Sequence, residues 1–204
     1  MTADDLPARS RIRKTVGRPR DGGIDTAVIG AVRALLVEAG YAGVTVAWVA
    51  QRAGTTKTAI YRRWESKPHL IHDATFGRFT TLVPQTGPLA ADLAQMVDEV
   101  CEVFGSPVTR AALPGLIADM AADPVVHQRV LDGFANVFGG VAQRLEAART
   151  RGEIRDGVDP AILIEMLGGA AILHTLTYGR LDDGWGARIL ALLEAAVVGD
   201  VRRA

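Results

Sequence analysis

Cysteine is nearly missing from this chain. Cys101 is the one thiol among 204 residues, which excludes an internal disulfide framework and fits a reducing cytosol. Aromatic residues make up 5 %, and no segment alternates polar and apolar residues at the period of two that marks a half-buried strand. With Ala and Gly abundant, helices packed through small residues fit better than a strand-rich sandwich. The longest apolar run, around Ala161 to Leu176, is interrupted by Glu165 and His174 and reads as a buried helix rather than a membrane span. No apolar signal-peptide stretch opens the sequence. Phosphate-loop, dinucleotide, zinc-ligand and nucleophile-elbow patterns are all missing. Neither an enzyme nor a cofactor or metal site is expected.

What is present is a core and a polarised charge. Apolar residues reach 49 %, enough to bury a sizeable interior. The net charge is zero, yet residues 1–72 hold 12 Lys+Arg against 6 Asp+Glu, and residues 73–204 hold 11 against 17. A basic first third on an acidic remainder is the footprint of a DNA-reading module joined to something else. Lysines are few (Lys14, Lys57 and Lys67), so two of the three fall within one short segment, Thr45 to Leu70.

That segment reads as two short helices around a tight turn, followed by a third. Thr45 is a good N-cap, and Val46, Val49, Ala50 and Ala53 recur at helical spacing. Gly54 permits the positive φ that the turn requires, and Thr56 or Thr55 caps the next helix. In that helix Ile60 and Trp64 share the inner face, while Lys57, Thr58, Tyr61 and Arg62 share the other. Ser66 caps a fourth helix, with Lys67 and Pro68 in its first turn. An α-helix fits the major groove of B-DNA, where base edges present a distinct pattern at each pair. Lys57 can reach guanine or phosphate, Thr58 a thymine methyl or base edge, and Tyr61 a phosphate oxygen. Thr45 and Lys67 start helices whose free N–H groups favour phosphate. Upstream, Arg9, Arg11, Arg13, Lys14, Arg18 and Arg20 lie in a stretch without an acid. Residues 1–20 read as a disordered arm. Arg18 and Arg20, stiffened by Pro19, suit a narrow minor groove, although a solubilising tail would look alike.

Thr45 to Leu70 resembles the DNA-binding domain of the TetR family of bacterial transcriptional regulators. The resemblance rests on Thr45, Val49, Ala50, Ala53, Gly54, Thr56, Tyr61, Trp64, Ser66, Lys67 and Leu70, and on a first helix closing at Gly40-Tyr41. Arg63-Trp64 stands where His-Phe is commoner, and Thr55 and Thr58 stand where Val and Gly are frequent. The operator sequence therefore cannot be read off. The resemblance implies phosphate contacts from Thr45, Thr56, Tyr61 and Lys67 and base reading by Lys57 and Thr58. It also implies a homodimer on a palindrome and a helical C-terminal domain that dimerises and holds a ligand whose binding releases the repressor.

The fold expected is all-α with about nine helices. A basic arm (1–20) precedes a helix-turn-helix domain (21–68) and a helical ligand-binding and dimerisation domain (69–204). Helix boundaries fall near Ile24 to Ala39, Ser66 to Leu82, Pro88 to Phe104, Val108 to Ala121, Pro124 to Arg151, Pro160 to Tyr178 and Trp185 to Val198. A kink is expected at Pro114. Candidate pocket walls are Phe79, Met96, Val100, Phe104, Leu116, Met120, Phe134, Phe138 and His174. The absence of a polar cluster among them points to a mainly apolar ligand. The dimer face is expected on the last two helices, at Leu163, Met166, Leu167, Ala170, Leu173, Ile189, Leu192, Leu193 and Ala196. Expected partners are double-stranded DNA, a second copy and a small-molecule effector, in the cytoplasm and away from membranes. Two further readings stay open: a DNA-binding regulator controlled by a protein partner or its own level, and a helical enzyme or carrier.

Overall fold

A computed structural model describes residues 22–77 and 87–198. Among the described residues nine helices form: α1 (Gly22–Gly43), α2 (Val46–Arg52), α3 (Lys57–Tyr61), α4 (Lys67–Phe76), α5 (Leu89–Gly105), α6 (Pro107–Ala122), α7 (Pro124–Thr150), α8 (Pro160–Tyr178) and α9 (Trp185–Val197). The all-α architecture is as expected. The continuation of α4 to Leu82 lies outside the described residues, as does the arm.

α1 buries Val28, Ala31, Val32, Leu35 and Leu36, one helical stripe facing the interior. Val37 is exposed. Gly40 adopts φ 67°, breaking the helix so that Tyr41 turns back toward the body of the molecule. Three later helices share one starting device. Ser106, Asp123 and Asp159 each cap a helix whose first residue is proline. Their side-chain oxygens accept from Thr109 N at 3.1 Å, Val125 N at 2.8 Å and Ala161 N at 2.8 Å. A cap satisfies an otherwise orphaned N–H, and proline at the first position has none to lose. α6 continues through Pro114.

α1 packs most extensively on α6, which also meets α4 and α7. α5 packs against both α8 and α9. The α7–α8 loop ties the start of α5 to the end of α9. Glu153 Oε2 accepts from Leu89 N at 2.7 Å. Ile154 makes an isolated antiparallel bridge to Val198, and Arg155 N donates to Val197 O at 2.9 Å.

Candidate nucleic-acid interface and effector cavity

The helix-turn-helix is built by its caps. Thr45 Oγ1 accepts from Trp48 N at 3.2 Å, Thr56 Oγ1 from Ala59 N at 3.1 Å, and Ser66 Oγ from His69 N at 3.3 Å. Gly54, at φ 64°, makes the turn, and Thr55 N closes it on Ala50 O at 2.9 Å. Val49, Ala50 and Ile60 are buried beneath. Trp64 is buried too, and its indole N–H donates to Asp73 Oδ2 at 2.8 Å.

This packing leaves Thr45, Thr56, Lys57, Thr58, Tyr61 and Arg62 exposed along one surface, with Thr55 half-buried. Not every cation near it is available. Arg52 is paired with Glu38, and Arg63 with Asp25. Lys57 and Arg62 have no ion-pair partner among the described residues, so they remain open to phosphate and base edges. Lys67 departs from the expected set. Its ammonium lies 4.5 Å from the centre of the Tyr41 ring, half-buried, and burial holds it below the usual lysine range against the opposing pull of Asp119. Its side chain is therefore engaged at the junction, and α4 offers a phosphate only the N–H groups of its first turn. Trp48, not among the residues expected at the interface, is 54 % exposed on α2. Its place off the Val46–Val49–Ala50–Ala53 stripe was the available signal. Arg18 and Arg20 lie outside the described residues.

Among the contacts that join this module to the rest of the chain, two involve unusual buried side chains. Tyr41 Oη donates to Asp119 Oδ2 at 2.5 Å, and burial together with that carboxylate pushes the phenol far above its ordinary value. The ring lies flat against Gly115, where an added Cβ would stand 2.2 Å from it. The second contact is His72 on α4, 6 % exposed. Its ring centroid lies 5.5 Å from that of Phe76 and 5.1 Å from that of Phe134 on α7. Burial pushes it down from 6.5 to about 4, with Asp73 opposing and His69 reinforcing the shift. The unfolded chain therefore binds this proton more readily, and folding stability must fall as pH drops from about 6.5 toward about 4. The full difference is about 3 kcal/mol. His72→Phe keeps a ring at this position and should lose that part of the pH dependence. Urea melts of the two proteins between neutral pH and about pH 5 check this: parallel pH profiles would show that His72 does not carry the effect.

α5, α7 and α8 line an open-sided cavity of about 230 Å³. Met96, Val100, Phe104, Phe134 and Phe138 line it as expected from sequence, together with Glu99, Val137, Val141, Ile164, Glu165, Leu167, Gly168, Gly169 and Ile172. Three expected wall residues are elsewhere. Leu116 is core and Met120 is half-buried, both on α6, whose inner face closes on α1 and α4. The His174 ring lies tilted against Tyr178, 4.6 Å between centroids, and 3.6 Å from Asp182 Oδ2. Phe79 lies outside the described residues. The α8 residues missed by sequence reasoning follow from rotational phase: Ile164, Gly168 and Ile172 are one helical face, and only packing tells which face meets a void.

The expected dimer face divides the same way. Leu163, Leu167 and Leu193 are buried in this chain's own interior and are not free to meet a partner. Ala170 and Ile189 are half-buried. Met166, Leu173, Leu192 and Ala196 are exposed, and Ile162, Leu176 and Tyr178 extend the apolar face. By length and composition α8 could cross a membrane, but its buried face packs on α5 and α7.

Comparison with known proteins agrees with this geometry. Residues 28–74 match the family model "Bacterial regulatory proteins, tetR family", and residues 83–193 match "Tetracyclin repressor-like, C-terminal domain". The chain belongs to the TetR family. Among its relatives, the DNA-binding transcriptional repressor TetR of Mycobacteroides abscessus is 30 % identical over 161 residues, covering 76 % of this chain and 84 % of the relative. The crystal structure of the TetR family transcription regulator SCO0332 superposes with a TM-score of 0.66 at 31 % identity, covering 84 % of this chain and 94 % of that one. The regulator FadR of Bacillus subtilis, solved with stearoyl-CoA, shares the fold at a TM-score of 0.61 and 16 % identity, covering 82 % of this chain and 96 % of that one. The TetR-family chain described here is a DNA-binding transcriptional regulator and not an enzyme.

Proposed function

We propose that this regulator is a homodimeric repressor that holds a palindromic operator and lets go when a small, mainly apolar molecule enters the α5–α7–α8 cavity. One observation carries the reading. α4 touches both ends of the machine: Asp73 accepts from the indole of Trp64, just past the recognition helix α3, while His72 and Phe76 touch rings of the cavity wall. Phe76 lies 5.4 Å from Phe134 and 5.9 Å from Phe104 between centroids, and both partners line the cavity. A ligand that displaces these rings favours a different position of α4 and hence of α3. Its differential affinity for the two positions sets how far DNA binding falls. The repressor named in Mycobacteroides abscessus and the ligand-bound FadR support the reading by likeness.

Thr45, Thr55, Thr56, Lys57, Thr58, Tyr61 and Arg62 face the operator on this reading, with Trp48 beside them and Arg18 and Arg20 reaching an adjacent groove. Such a protein works with the chromosome in the cytoplasm. The exposed apolar stripe of α8 and α9 is its dimer face, since a contiguous patch of this kind is seldom left to water. Sedimentation at micromolar concentration should give a dimer, and Leu173→Glu with Leu192→Glu should give folded monomers. A native chain that sediments as a monomer would remove the dimer.

Control by a protein partner or by concentration alone is the second reading. A closed C-terminal core would favour it, and the cavity of about 230 Å³ weighs against it. The test is duplex affinity, measured with and without compounds that raise the melting temperature of the protein. Binding that no such compound weakens would favour the second reading.

A further inference from the structure

We propose that Tyr41 is a positioning residue for DNA binding: its hydroxyl, held by Asp119, fixes the seat of the helix-turn-helix on α6 and so the place from which each subunit presents α3. This rests on the reading of the protein as a dimer that reads DNA through α3, and adds what sets the spacing of the two helices. Among the described residues, two side-chain hydrogen bonds cross from residues 22–66 to helices α5–α9: Tyr41 to Asp119, and Arg129 to Glu65. The Arg129–Glu65 pair is 43 % and 63 % exposed, where solvent and side-chain entropy leave an ion pair worth little. Tyr41 is half-buried and held from three sides. Asp119 Oδ2 accepts its hydroxyl at 2.5 Å. Its ring lies against Gly115, which has no Cβ to hold it off. The Lys67 ammonium covers the ring at 4.5 Å and also feels the Asp119 charge. The end of α1, the start of α4 and the middle of α6 thus meet at one side chain. Burial and Asp119 push the phenol far above its ordinary value, so it stays protonated and donating across the ordinary pH range.

A dimer on an inverted repeat must bring two α3 helices to one separation. Apolar packing of α1 and α4 on α6 supports the module, but such packing is non-directional. A hydrogen bond to a carboxylate is directional and selects one seat. Without it the module samples neighbouring seats, and apparent affinity falls with the fraction of molecules in the binding-competent one. The loss enters twice, once per subunit. Because the Tyr41 hydroxyl is turned to α6, no phosphate contact goes with it.

Tyr41→Phe keeps the ring, its packing on Gly115 and its contact with Lys67, and removes the hydroxyl alone. On duplexes selected by the native full chain, it should bind roughly tenfold more weakly. The dependence of affinity on salt should stay the same, since no phosphate contact is lost. Discrimination of spacing should relax. One base pair inserted between the half-sites turns them by about 35°, and the penalty for that insertion should shrink to a third or less of the native factor. Asp119→Ala should behave like Tyr41→Phe. Asp119→Asn, which keeps an oxygen that accepts, should restore most of the affinity. Combining Tyr41→Phe with Asp119→Ala should add little to either. Native affinity in both Tyr41→Phe and Asp119→Ala overturns the inference and leaves α3 as the reading helix. So does weaker binding with an unchanged spacing penalty, which is the mark of a merely structural role. A shallower salt dependence in Tyr41→Phe also overturns it, by making Tyr41 a phosphate contact. A native chain that selects no inverted repeat removes the dimer reading, and this inference falls with it.

Discussion

Replacing Lys57 and Tyr61 together by alanine should reduce affinity for duplexes selected by the native protein by roughly a thousandfold. The figure follows from removing two DNA-facing side chains in each of two subunits, at about 1 kcal/mol or more apiece. Lys57 is a cation on α3 with no ion-pair partner among the described residues. Tyr61 is 49 % exposed, one turn along the same face, and its hydroxyl can donate to phosphate. Neither side chain belongs to the core, so the melting temperature should hardly move. A phosphate contact also predicts a shallower dependence of affinity on salt in the variant, because fewer counterions are released on binding. Arg52→Ala is the informative control. Its guanidinium is occupied by Glu38, so the loss should be much smaller. Unchanged duplex affinity in the double variant, with the fold intact, would remove α3 from the interface.

Gly168→Phe should abolish the response to every small molecule that stabilises the native protein. Gly168 lines the cavity, and a Cβ added there meets no atom within 4 Å. A phenyl ring therefore enters empty space and occupies a large share of about 230 Å³. Replacing glycine inside a helix also raises helix propensity by about 0.5–1 kcal/mol, so the variant should fold and melt no lower. A ligand at about 100 times its Kd stabilises the native chain by about 2.7 kcal/mol, and that gain should vanish. Gly168→Leu tests the same point with a smaller side chain. Undiminished ligand stabilisation in both variants would place the effector elsewhere.

Much of the DNA-binding module was legible because short-range chemistry specifies it. Thr45, Gly54, Thr56 and Ser66 each do a job set by their immediate neighbours, and in the folded chain each is found doing it. The C-terminal region was legible as helices but not as surfaces. Proline behind an acid or serine announces where a helix begins. It says nothing of which of three faces of α8 meets the core, the cavity or the outside. All three are apolar, so hydrophobic pattern could not separate Leu163 and Leu167 from Met166 and Leu173. Lys67 shows a different limit. Its place at the start of α4 was right, yet the Tyr41 ring and Asp119, distant in sequence, decide where its ammonium goes.

Selection of duplexes from a random pool by the full-length native protein, with the stoichiometry of the winning complex measured, decides whether paired subunits read DNA through α3. The expected product is an enriched inverted repeat with half-site centres about 34–36 Å apart, or a multiple of one helical turn. It should be bound by paired subunits, and its binding should be lost in the Lys57→Ala, Tyr61→Ala variant. Failure to enrich any sequence, or enrichment of a lone half-site held by one subunit, would contradict that picture.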